Sequence, residues 1–186
     1  CPRMADNVPS DLQRLIDDQH GLATFPQLRR FGFSRTMVQR AIESGRWQSV
    51  LHGVYSVTTG PLDRSMVQIA ALLYGGGSSV LSHWTSVQEW LDRPDDDAPV
   101  HVTVRYGRSA VDQTPTYRRR SGLLLPKREL VHPGVKVHRS RAFDHIVVAD
   151  TLPRTSRADA VIECATAEQT ARAATETTIG LVTDMR

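Results

Sequence analysis

The sequence predicts an α+β protein in two parts: three short helices and a hairpin over residues 9–60, then a larger mixed α/β domain over residues 64–186. Three observations predict it. Apolar residues recur at helical spacing in three short segments that end at Gly45, strand-type alternation takes over from Arg46, and Gly60, Pro61 and Leu62 separate this module from a longer stretch where both patterns mix. Three helices followed by a hairpin is the layout of a winged helix-turn-helix.

Pro9, Ser10 and Asp11 open a helix through His20, with Leu12, Leu15 and Ile16 on one face and Gly21 placed to end it. Thr24 caps a short second helix with Pro26 in its first turn; Leu28 and Phe31 give its apolar face, and Gly32 stops it. Ser34 caps a third helix to about Ser44, closed by Gly45 in the left-handed position. At about 100° per residue, Val38, Ala41 and Ile42 fall on one side of this helix, and Thr36, Gln39, Arg40 and Glu43 on the other. Trp47 to Leu51 and Val54 to Val57 read as strands joined at His52 and Gly53.

The second part opens with a helix from Arg64 to Tyr74. Gly75, Gly76 and Gly77 read as its end and a turn, because the Lys and Ser or Thr that complete a phosphate loop do not follow them. Ser82 is expected to cap a helix through Leu91. Strands are expected at Val100–Val104, Val135–His138 and Ile146–Ala149, helices at Ser156–Ala165 and Glu168–Leu181, and an irregular basic segment from Tyr106 to Pro133.

With 40% hydrophobic and 23% charged residues among 186, the chain has ordinary globular composition and can bury a core without disulfides or metals. Its 23 Lys and Arg against 20 Asp and Glu say little about partners, but the charges are unevenly placed. Between Thr24 and Gly53, five arginines (Arg29, Arg30, Arg35, Arg40 and Arg46) face Glu43 alone, a net of four; between Arg105 and Arg141, ten Lys and Arg face Asp112 and Glu129, a net of eight. Neither Cys1 nor Cys164 belongs to a disulfide framework, no apolar run is long enough to span a membrane, and no secretion-signal pattern opens the chain; a cytoplasmic location is expected. Met4 reads as the natural start.

Little points to chemistry. His83, His101, His132, His138 and His145 show no metal-ligand spacing and read as structural or exposed, Cys164 as a buried thiol, and Asp95, Asp96 and Asp97 as a solvated loop. With no hydrolase elbow or kinase signature either, no enzyme activity, catalytic residue, metal or cofactor is expected. The basic first part points to duplex DNA instead: Arg29, Arg30 and Arg46 for phosphates, and Thr36, Gln39 and Arg40 for base edges. The plain alternatives are a solvated helix face and, for the segment around Arg118, Arg119 and Arg120, either a hydrated loop or a second DNA contact.

The stretches "GLATFPQLRRFGFSRTMVQRAIESGRWQSVLHGVYSV", "AALLYGGGSSVLSHWTSVQEW", "VHVTV", "PGVKVHRSR" and "LPRTSRADAVIECA" together resemble the AbiEi-type antitoxins of bacterial type IV toxin-antitoxin systems, in an actinobacterial-like form, over about Gly21 to Ala165. The resemblance implies a winged helix that represses its own operon and a C-terminal domain acting against a nucleotidyltransferase-like toxin. It assigns DNA reading to the helix Ser34 to Ser44, with Ser34 and Arg35 at its start, and to a wing at Arg46 to Val54. The segment before "PGVKVHRSR" is longer than the resemblance leads one to expect. Two alternatives stand beside this reading: the DNA-targeting part of a longer Vsr-like nuclease, and a protein-interaction module.

Overall fold

The computed structural model describes residues 10–119, 128–148 and 151–185; the side chains of Arg119 and Arg128 lie outside this description. The chain divides into two compact units, Cys1–Tyr74 and Gly75–Arg186. Among the described residues no helix is long and apolar enough to cross a membrane.

The first unit runs α1 (Ser10–Asp18), β1 (Leu22–Thr24), α2 (Phe25–Arg30), α3 (Arg35–Glu43), β2 (Gln48–Leu51) and β3 (Val54–Ser56), followed by α4 (Arg64–Gly75). Helices α1 to α3 form where caps and apolar spacing place them. Thr24 and Gln27 make a reciprocal capping box at α2, with the Thr24 amide donating to Gln27 Oε1 at 2.8 Å and the Gln27 amide to Thr24 Oγ1 at 3.4 Å. Ser34 caps α3 by accepting the Met37 amide at 3.2 Å. Thr24 also ends a strand that the helical pattern hid: β1 pairs antiparallel with β3, and β3 with β2, giving the sheet order β1-β3-β2. Leu51 pairs with Val54 across the two-residue turn His52 and Gly53, so β2 and β3 form a hairpin directly after α3. One core holds the unit together: Leu12, Ile16, Ala23, Leu28 and Val38, lined by Phe25, Phe31, Phe33, Ile42, Trp47 and Tyr55. Burying each of the larger aliphatic side chains contributes about 1.5–3 kcal/mol.

The second unit is built on a five-stranded mixed sheet with the order β8-β5-β4-β10-β9. Its strands are β4 (Ser79–Leu81), β5 (Val100–Arg105), β8 (Val135–Ser140), β9 (Val147–Val148) and β10 (Arg154–Thr155). Val100, Val102 and Val104 are fully buried, as the alternation in this segment requires. Helices α5 (His83–Leu91), α7 (Arg157–Thr166) and α8 (Ala171–Asp184) share a second core of Val87, Ala160, Val161, Cys164 and Leu181.

Several expectations are corrected. The segment Tyr106 to Pro133 is not irregular throughout: β6 (Thr116–Arg119) and β7 (Arg128–His132) form a two-stranded antiparallel ladder, with Arg118 opposite Glu129. The strand expected at Ile146–Ala149 begins later, because α6 (Phe143–Ile146) buries Phe143 first and only Val147 and Val148 pair in β9; Ala149 lies outside the described residues. Ser82 occupies the N-cap position of α5 without capping it; its hydroxyl lies 3.1 Å from His83 Nδ1 instead. The glycine triplet ends α4, and Gly75 is required by close approach, since a Cβ there would meet the Ser79 Cβ at 2.7 Å.

Gly134 joins β7 to β8 at φ +101°, and a Cβ on it would stand 2.9 Å from the Gln113 carbonyl oxygen. That backbone is pinned in place, because Gln113 and Val135 exchange both N–H to carbonyl bonds at 2.9 Å. Gly134→Ala therefore combines a disfavoured φ with a backbone clash and is expected to destabilise the chain by about 1–3 kcal/mol. Urea unfolding followed by circular dichroism measures this, and a midpoint equal to that of the unaltered chain would refute it.

Candidate nucleic-acid interface

While α1 exposes Asp11, Asp17 and Asp18, the first unit gathers most of its exposed positive charge on α2, α3 and Arg46 after it. Val38 and Ala41 are buried and Ile42 packs beside them, so the helix can present only its other side to solvent. Thr36, Gln39, Arg40 and Glu43 are all exposed there. Gln39 Nε2 donates to Glu43 Oε1 at 3.0 Å, one helical turn away. Reading a base with both ends of the Gln39 amide therefore requires this bond to open.

The remaining candidates surround the helix. Ser34 and Arg35 are exposed at its start, and the Arg35 guanidinium lies over the Phe25 ring at 4.7 Å, which draws it back towards α2. Arg29 and Arg30 are exposed in the last turn of α2, where positive charge also suits the helix dipole. Arg46 follows α3 at the entry to the hairpin. Its Nε donates to Ser44 Oγ at 3.0 Å, and the Ser44 hydroxyl donates to the Ala41 carbonyl at 3.0 Å, so the guanidinium is anchored where the chain leaves the helix. Among the described residues none of these five arginines forms an ion pair with a carboxylate. The arrangement is an exposed helix with cations at both ends and a two-residue hairpin tip nearby in sequence, geometry suited to an anionic rod.

The second basic segment is different. Arg118 Nη2 donates to Glu129 Oε2 at 3.2 Å and the pair is partly buried, so Arg118 belongs to the ladder and not to a hydrated loop. Arg120 and the Arg119 side chain lie outside the described residues. Lys136 pairs with Asp112 at 3.0 Å, Arg105 Nη1 donates to Asp144 Oδ2 at 2.9 Å, and Arg139 donates to the carbonyls of Arg108 and Ala110. Arg105, Arg118, Lys136 and Arg139 are thus engaged within the fold.

Cys164 is not an activated nucleophile. Cys164 is buried, and burial, with help from Glu163 and Glu168, pushes its thiol up to about 12, which keeps it protonated at neutral pH. Asp95 closes a local turn by accepting the amides of Asp97 and Ala98. The structure does bring together His83, His101 and His138, which the sequence leaves separate, since no local spacing links α5, β5 and β8.

Residues 25–43 are by geometry a helix-turn-helix, with α3 as the exposed second helix and a hairpin after it. Residues 10–58 match the family model described as transcriptional regulator, AbiEi antitoxin; the matched stretch lies within the first unit and spans about a quarter of the chain. No curated protein matches the chain.

Replacing Arg29 and Arg30 together with Ala is expected to leave the fold intact, because both are exposed, and to weaken binding to any duplex. If both meet phosphates, the slope of log affinity against log salt flattens by about 1.8, at about 0.9 per contact. Fluorescence anisotropy over a salt series measures it, and parallel lines for variant and unaltered chain would remove these residues from the interface.

Proposed function

We propose that this chain is a DNA-binding transcriptional autorepressor and the antitoxin of a type IV toxin-antitoxin pair, working in the cytoplasm. The observation that carries the reading is α3: an exposed polar face of Thr36, Gln39 and Arg40, fixed from behind by Val38 and Ala41, in the segment that matches the antitoxin regulator family. In this reading α3 enters the major groove of the operator of its own operon. Arg40 makes two bonds to a guanine, and Gln39 exchanges its bond with Glu43 for two to an adenine. Arg29, Arg30, Arg35 and Arg46 neutralise phosphates, Ser34 contacts the backbone at the helix start, and the β2–β3 hairpin acts as the wing. Glu43, on the same face, disfavours close phosphate approach and so helps set the register.

The second unit is the part that answers a nucleotidyltransferase-like toxin, with or without direct contact. Arg118 plays at most a secondary part on DNA, since it is already held by Glu129, while Arg119 and Arg120 add a second phosphate contact beside it.

Two experiments test the proposal. Gln39→Ala and Arg40→Ala are each expected to cost about 1–3 kcal/mol on the upstream DNA of the operon and far less on random duplex. Gel-shift titrations on both DNAs measure this, and equal losses on both would make these residues phosphate contacts or spectators. A chain starting at Arg64 is expected to rescue growth from the partner toxin without repressing the operon. Should that fragment fold by circular dichroism and still give no protection where the full chain does, the division of labour is wrong.

A further inference from the structure

The second unit holds a side-chain cluster for which DNA binding has no use. His83 opens α5, His101 lies on β5 and His138 on β8. Parallel pairing of β5 with β8 sets Thr103 opposite His138, so His101, Thr103 and His138 share one face of the sheet. The imidazoles stack, His83 on His138 with centroids 3.6 Å and planes 17° apart, and His101 on His138 at 5.3 Å and 12°. One nitrogen from each ring lies within 4.8 Å of the other two. His101 Nδ1 and His138 Nε2 are 3.1 Å apart. Two nitrogens bound at about 2.05 Å to one tetrahedral ion stand about 3.3 Å from each other, so the spacing suits an ion that replaces the hydrogen bond between these rings, with His83 turning out of its stack to bring its lone pair onto the ion.

The surroundings match those of a ligating histidine. The Glu163 carboxylate on α7 accepts the His83 backbone N–H at 2.9 Å and the Thr155 hydroxyl at 3.2 Å, and it lies 3.7 Å from His83 Nδ1. His83 Nδ1 meets Ser82 Oγ at 3.1 Å, which leaves Nε2 for an ion, and Glu163 fixes the residue through its backbone N–H and not through the ring. His83 adopts φ +50°, a left-handed conformation that a side-chain-bearing residue rarely takes outside functional or tightly constrained positions. Burial, with the two neighbouring rings, holds His83 down to about 3, and burial also lowers His138, so both rings are neutral at physiological pH, the form that binds metal. On the same sheet face, the Thr103 hydroxyl is buried without a partner among the described residues.

We propose that His83, His101 and His138 bind one divalent ion of the zinc class through three imidazole nitrogens, with water in the fourth position. The donor set selects this chemistry: imidazole favours zinc and its neighbours over magnesium or calcium, which take oxygen. No fourth His, Cys, Asp or Glu joins the cluster among the described residues, so the fourth position falls to solvent.

The test is zinc titration of the full chain after chelator treatment. Calorimetry gives the stoichiometry, and two-dimensional NMR of the histidine rings gives the site. One zinc per chain is expected, with ring shifts at His83, His101 and His138 and none at His20, His52, His132 or His145. His101→Ala and His138→Ala should each weaken binding by more than about 100-fold. Absence of ring shifts at millimolar zinc, or shifts confined to the other histidines, would overturn the proposal; both are read on the unaltered chain and need no variant to fold. Unchanged affinity in a folded His101→Ala variant would overturn it as well.

Discussion

The first unit depends on one constraint, the packing of Val38 of α3 into the core of Leu12, Ile16, Ala23 and Leu28, with Ile42 beside it and Ala41 also buried. A nine-residue helix cannot hide one side without presenting the other, so packing alone decides that Thr36, Gln39 and Arg40 face solvent. The remaining features refine that orientation. The capping box at Thr24 fixes the start of α2, the Phe33 and Trp47 rings pack 5.5 Å apart where the turn before α3 meets the chain after it, and the Phe25 amide donates to the Gly53 carbonyl at 2.9 Å, tying the hairpin tip to the start of α2. The exposed face and the hairpin are therefore positioned by a single core.

Charge is used differently in the two units. Around α3 the arginines have no carboxylate partners among the described residues, which leaves them available to an anion. In the second unit Arg105, Arg118 and Lys136 each meet a carboxylate, and Arg139 caps backbone carbonyls. A net charge summed along the sequence counts both kinds alike. The sum along the sequence therefore does not tell a cation left to solvent from one engaged within the fold.

Helices α1 to α3 and their caps were legible in the sequence because capping and amphipathic spacing are local signals, read within four or five residues. Strands β1, β4 and β10 were not: each has two or three residues and exists only through partners far away, as when Leu22 pairs with Ser56 or Arg154 with Leu81. The β6–β7 ladder was hidden by its own composition, since Thr116 to Arg119 carries charge where a strand signal needs β-branched or aromatic residues on alternate positions. The exposed polar face of α3 could be drawn from periodicity, but not the bond between Gln39 and Glu43 that lies on it. The three histidines come together only through the sheet register and the start of α5, which no spacing rule encodes.

The central claim, that α3 and the hairpin form the DNA-binding surface, is tested most directly by mapping backbone amide shifts in NMR spectra as the upstream DNA of the operon is added. The account predicts that the largest changes fall on Arg35–Glu43 and at His52 and Gly53, with smaller ones at Arg29, Arg30 and Arg46. Changes confined to residues 75–186, or a spectrum that DNA leaves unaltered, would contradict it.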